Sequence, residues 1–149
     1  MLGHHERLGI DRSELRTSTR ELLEFADQRA LSGAEYGDIQ LLRTELTAAW
    51  ADWLAEHRID ALIEPTVPLV APVRGGGYDE FFTEEAGAYI AFTHYWNWTG
   101  FPVAALPAGL GSRSGLPVGV SLIGAPGAEW RLLGLGIELQ AELGVPCAW

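Results

Sequence analysis

The chain has 149 residues, 48% hydrophobic and 20% charged, a globular composition that excludes the low-hydrophobicity, high-charge character of disordered segments. A formal charge of −10, with ten arginines and no lysine, repels phosphate backbones and leaves no basic stripe, which argues against nucleic-acid binding. The single cysteine, Cys147, excludes an intramolecular disulfide and a cysteine zinc site, while the absence of an apolar N-terminal core or of about 18 uninterrupted apolar residues argues against export and membrane spanning; the cytoplasm is the expected location.

With no repeat or low-complexity linker in it, residues 1–149 read as one unit with a helical first half. Ser18 and Glu21 have capping-box spacing ahead of Leu22, Leu23, Ala26 and Ala30, and Gly33 stands where a glycine would stop that helix. Ser32 and Glu35 repeat the device. Behind them Ile39, Leu42, Leu46, Ala49, Trp50, Trp53 and Leu54 recur at 3–4 spacing, which predicts a helix to about His57 with one broad apolar stripe to bury. Ile59 to Ile63 is a short apolar run closed by Pro65 and Pro68 and reads as a buried strand. A loop through Gly75-Gly76-Gly77 follows, then a helix from about Thr83 to Tyr95. Val103–Leu106 and Val118–Ile123 flank a Gly/Ser-rich stretch, Gly109–Gly115, and read as an antiparallel hairpin. A final helix starts near Ala128 and Glu129, carries Leu132, Leu135, Leu139 and Leu143, and ends at Gly144 and Pro146.

This order predicts an α/β layered fold, and several short motifs appear in sequence along it. They are Leu31-Ser32-Gly33-Ala34-Glu35-Tyr36, Asp60-Ala61-Leu62-Ile63-Glu64-Pro65-Thr66, Asn97-Trp98-Thr99-Gly100-Phe101-Pro102, Leu106-Pro107-Ala108-Gly109 and Gly115-Leu116-Pro117-Val118-Gly119-Val120-Ser121-Leu122-Ile123-Gly124. Each alone is explained by turn geometry; together, in this order, they resemble the C-terminal part of amidase-signature hydrolases. The resemblance implies an α/β fold with a mixed sheet flanked by helices, and a parent activity of amide hydrolysis by a serine, a second serine in a cis peptide bond and a lysine base.

The resemblance carries none of those catalytic residues into this chain. Serine needs a base within hydrogen-bond reach, and arginine, which stays protonated, cannot serve. The Gly/Ser-rich signature stretch is also missing. Gly119-Val120-Ser121 fails as a nucleophile elbow because Ile123 stands where glycine is required, and Gly111-Ser112-Arg113-Ser114-Gly115 reads as a hairpin tip. No catalytic residue is therefore expected among these positions. No metal site is expected either, because His4, His5, His57 and His94 lack helical metal spacing, and no cofactor fingerprint is present.

The resemblance brings His94, Tyr95, Trp96 and Trp98 near an acyl-binding pocket, which makes them the candidate substrate-binding residues, with ordinary core packing as the alternative. In the amidotransferase A subunits of the same family, an aspartate for the substrate ammonium stands seven positions before the motif asparagine; here that position is Ile90. Arg20 is the single candidate for that subgroup's carboxylate-binding arginine. A general amidase with a less polar small-molecule amide substrate fits better than an amidotransferase relative. Three readings remain: the C-terminal part of an amidase completed by an upstream portion, a catalytically inert amidase-like module, and a truncated gene product with no selected function. The apolar stripe of the long helix implies pairing with that upstream portion, or self-association.

Overall fold

The computed structural model describes residues 7–73 and 84–145. After a 3-10 turn at Arg12–Glu14 come α1 (Thr17–Gln28), α2 (Gly33–Glu56), β1 (Leu62–Pro65), α3 (Glu84–Tyr89), α4 (Thr93–Thr99), β2 (Val103–Leu110), β3 (Pro117–Ile123) and α5 (Glu129–Leu143). The expectations for His4, His5, the Gly75–Gly77 loop, Pro146 and Cys147 lie outside the described residues.

The break between the first two helices comes from Ser32. Its backbone is extended, at φ −64° and ψ 160°, and its side chain caps α2 in a reciprocal box with Glu35. An extended residue 32 cannot continue α1, so Gly33 opens α2 instead of closing α1. The expected Ser18–Glu21 box is absent: Arg16 occupies the N-cap of α1, without a side-chain cap bond, and Ser18 lies within the first turn. At the working box, Ser32 donates its backbone N–H and its hydroxyl to Glu35 Oε2, both at 2.8 Å, and accepts from the Glu35 N–H at 3.2 Å.

The sheet has the order β1-β3-β2, with both pairings antiparallel. The α/β class with a sheet flanked by helices stands as the sequence indicated; among the described residues both strand pairings are antiparallel. The strand at 62–65 begins three residues later than Ile59 and runs into Pro65, which an outer strand tolerates because a missing N–H there breaks no ladder. Pro107 likewise lies on an outer strand, beside a register shift between Pro107 and Gly109 where Gly109 has φ +115°. Such a bulge needs the backbone freedom of glycine.

Directly opposed residues share a face. Leu62, Ile123 and Val103 therefore lie on one side with Glu64, Ser121 and Ala105, while Ile63, Leu122 and Ala104 lie on the other with Pro65, Val120 and Leu106. On the second face α5 rests against β2 and the end of β3. Leu132 is buried there beside Gly124, where an added Cβ would come within 3.1 Å of the Leu132 side chain, and Gly136 admits the Leu106 side chain. Of the expected leucine face, Leu132 is buried, Leu135 and Leu139 are half-buried, and Leu143 is exposed.

The first face carries the main core. Leu54, Trp96, Phe101 and Ile123 form its buried centre, with Trp50, Ile59, Leu62 and Tyr95 packed around them. Only the last turns of α2 take part. Leu41, Leu42 and Trp53 are exposed, so the apolar stripe of this 24-residue helix is covered at one end and open along the rest. The helix expected over 83–95 is instead α3 and α4, separated by a tight turn in which Ile90, Ala91 and Thr93 bond to carbonyls three residues back. Gly100, at φ +79°, caps α4 by donating to the Trp96 carbonyl at 2.8 Å.

The Ser32–Glu35 box makes a pH-dependent contribution to stability. Bonds from the Ser32 backbone, and then from its side chain, hold the Glu35 carboxyl below its usual 4.5. A carboxyl whose pKa is depressed on folding adds stability above the unfolded value, and that contribution is lost as pH falls through the folded value. Lowering the pH from 6 to 3 should therefore lower the thermal midpoint more in the wild type than in Glu35→Gln, as read by circular dichroism at 222 nm. Equal losses in the two proteins would contradict the assignment.

Candidate substrate cleft

Where α4 crosses the first face of the sheet, it leaves a cleft of about 300 Å³. The strands supply Glu64, Thr66, Val103, Ala105 and Ser121, all from one face by register or by continuing it past the end of β1. The helical side supplies Phe92, Thr93, Trp96 and Asn97, and Phe101 closes the inner end. The cleft opens past β2, where Val103 is 44% exposed.

Trp96 joins this cleft to the core. Its ring packs edge-on to Trp50 at 5.5 Å and to Tyr95 at 5.0 Å, and lies 5.6 Å from Phe101. Its indole N–H donates to Glu64 Oε1 at 2.6 Å, a charge-assisted bond that fixes the carboxylate against the wall. Deeper on the strand side, Ser121 donates to Thr66 Oγ1 at 3.0 Å, and the Thr66 N–H donates to the Gly119 carbonyl at 3.0 Å. Gly119 is required here, because a Cβ would stand 3.1 Å from Thr66 Oγ1 and 3.2 Å from the Leu106 carbonyl. Ser121 is thus a buried strand residue committed to Thr66, as expected from its failure to match a nucleophile elbow.

The four sequence candidates separate. Trp96 is buried and lines the cleft. Tyr95 faces α2, where its hydroxyl accepts from the Trp50 indole. Trp98 is half-buried with its ring 6.5 Å from Tyr95. His94 is exposed, with Nδ1 2.9 Å from the Ile90 carbonyl of the preceding turn. Tyr95, Trp98 and His94 do not line this cleft, which follows from helical geometry: residues 94–98 project in different directions around α4. Arg20 is also remote from it by role, bonding Thr17 on its own helix. The residue that sequence reasoning missed is Glu64. The sequence shows a lone acid in an otherwise apolar strand, with Leu62 and Ile63 before it and Pro65 after it, but does not place it in a cleft.

Thr47 completes the support for α4. Its hydroxyl lies 3.0 Å from the Thr99 carbonyl and 2.8 Å from the Arg43 carbonyl, tying the end of α4 to the middle of α2. Among the described residues, no group of three His, Cys, Asp or Glu side chains is arranged to hold a metal ion. No described helix is long and apolar enough to cross a membrane.

Fold and cleft together define an α/β scaffold bearing one small aromatic cleft with a carboxylate in its wall. A family model described as Amidase matches residues 11–133, and the chain belongs to that family. It is similar to mandelamide hydrolase of Pseudomonas putida, at 33% identity over 68% of this chain and 20% of that protein. It is also similar to indoleacetamide hydrolase of Agrobacterium vitis, at 32% identity over 78% of this chain and 26% of that one. Among solved structures, one described as a crystal structure of amidase superposes with a TM-score of 0.74 at 31% identity, over 94% of this chain and 32% of its own. 6-Aminohexanoate cyclic dimer hydrolase superposes with a TM-score of 0.66 at 25% identity, over 95% of this chain and 31% of its own. The chain thus spans between a fifth and a third of the length of these relatives.

The indole–carboxylate bond is open to a direct test. Trp96→Phe keeps most of the ring and removes the N–H, which should cost about 1–2 kcal/mol in urea denaturation, the scale of a lost hydrogen bond to a partly exposed charge. Unchanged stability would show that the bond contributes nothing.

Proposed function

We propose that these 149 residues supply one wall of the substrate cleft, and the sheet behind it, to an amidase that hydrolyses carbon–nitrogen amide bonds in a small molecule. The observation that carries the reading is the cleft between α4 and the sheet, half enclosed by Trp96, Phe92 and Phe101 and open past Val103. Membership of the amidase family supports the reaction class, and the names of two relatives, mandelamide hydrolase and indoleacetamide hydrolase, support amides with apolar or aromatic portions.

The serine, cis-serine and lysine of the family mechanism lie, on this reading, outside the sequence given. A serine attacking a carbonyl must lose its proton to a base, and the amide nitrogen must gain one to leave. With no lysine in the chain and Ser121 bonded to Thr66 in mid-strand, the family's serine–lysine relay is not assembled from these residues. What this chain contributes is positioning: aromatic surface against the apolar part of the substrate, and a rigid strand floor. Residues 1–149 act as one unit, pair with an upstream amidase portion through the uncovered stripe of α2, and work in the cytoplasm, which a chain with a single cysteine suits. An amidase-like module without activity is the second reading, favoured by the same missing lysine.

Assays with mandelamide and indoleacetamide distinguish the two readings. The isolated chain should give no turnover above the uncatalysed background. Joined to an upstream amidase portion that carries the lysine and serines, it should give turnover that Phe101→Ala, which opens the inner end of the cleft, lowers at least tenfold. Turnover by the isolated chain would overturn the placement of the catalytic residues outside it, and no turnover by the joined protein would overturn the amidase reading.

A further inference from the structure

Among the described residues, Glu64 is the one charged residue lining the cleft. It projects from β1 on the face shared with Ser121 and Ala105, half-buried, with Trp96 bonded to Oε1. Among the described residues no arginine or histidine pairs with it, and no lysine exists in the chain to do so. A half-buried carboxylate whose side-chain partner is a neutral indole keeps acceptor capacity for a cationic donor. The rest of the lining combines three aromatic residues, Phe92, Trp96 and Phe101, with small and polar side chains including Thr66, Thr93, Asn97 and Ser121, and aromatic faces attract cations through their quadrupole.

From this we infer that the cleft receives a positively charged amino group, held by Glu64 and the rings of Trp96 and its neighbours, so that the preferred substrates are amides carrying an ammonium. A volume of about 300 Å³ lies at the small end of ligand sites and suits a short aminoalkyl group better than a long chain. The amine is recognised by charge and not by reaction: no bond to it forms or breaks. This reverses the expectation drawn from Ile90, which is half exposed on the turn before α4. The carboxylate comes from the strand opposite instead. The inference rests on the amidase reading only in assigning the ammonium to a substrate, because the binding itself needs no turnover.

The test uses n-butylammonium and its neutral counterpart n-butanol, titrated into the 149-residue chain while the indole N–H resonance of Trp96, assigned from Trp96→Phe, is followed by NMR. The wild type should bind n-butylammonium saturably and at least tenfold more tightly than n-butanol. Glu64→Gln keeps an acceptor for the indole and removes the charge, and should lose that preference. Glu142→Gln, on the exposed end of α5, makes the same change in net charge and should retain it, which separates the cleft from the general attraction of a chain with charge −10. Absence of a preference in the wild type overturns the inference without recourse to any variant, as does equal binding by a folded Glu64→Gln protein. If the joined amidase hydrolyses neutral amides while the cleft shows no preference for the ammonium, this inference falls and the amidase reading stands; ammonium binding without amide turnover gives the reverse.

Discussion

Trp96 is bound on both of its sides, and the arrangement of the cleft depends on that. One side of the indole packs against Trp50, Tyr95 and Phe101 in the interior, while its N–H holds the Glu64 carboxylate across the gap to β1. α4 has only seven residues and could not hold its orientation by helix propensity, since helices this short are unstable alone. It is fixed by burial of one large ring, by the Gly100 cap and by Thr47 reaching the Thr99 carbonyl. The cleft wall and the core are therefore one packing unit, and a change that loosens the ring alters the cleft with it.

A consequence is uneven coverage of the molecule. The core occupies the corner where the end of α2, α4 and the sheet meet, and α5 covers β2 on the other face. Away from these contacts, apolar surface stands open. Leu41, Leu42 and Trp53 on α2, Ile63 on β1 and Trp130, Leu133 and Ile137 on α5 are all exposed. A surface with this much uncovered apolar area normally meets another surface, which agrees with a chain that spans a fifth to a third of its relatives. Among the described residues the outer edges of β1 and β2 pair with no further strand, edges of the kind that usually accept further strands or are protected by proline, and each of these strands carries one proline.

Much of this was legible in the order of residues. The Ser32–Glu35 box, the hairpin with its Gly/Ser tip and the glycine-terminated last helix rest on local chemistry, which a sequence displays directly. Ser18–Glu21 shows the limit of that chemistry: the spacing was right, but a cap also needs an extended backbone, and the N-cap is Arg16, two residues before Ser18. The 3–4 spacing on α2 marked apolar positions, but apolar side chains stand around the helix and not on one sharply defined face, and spacing does not state which of them a partner covers. At the cleft, the four candidates of segment 94–98 share α4, and of these Trp96 alone is among the residues lining the cleft. Glu64 was overlooked because its meaning is tertiary: only the β1–β3 register and the crossing of α4 bring it into a shared cleft with Trp96.

The central claim is that this cleft holds substrate beside a serine lying elsewhere in the amidase. The most direct measurement is a crystal structure of the chain joined to an upstream amidase portion whose reactive serine has been captured by a fluorophosphonate carrying a short aminoalkyl group. The account predicts that group within contact distance of Trp96 and Glu64, between α4 and the sheet. An aminoalkyl group ordered away from both residues, with the cleft filled by other parts of the protein, would contradict it.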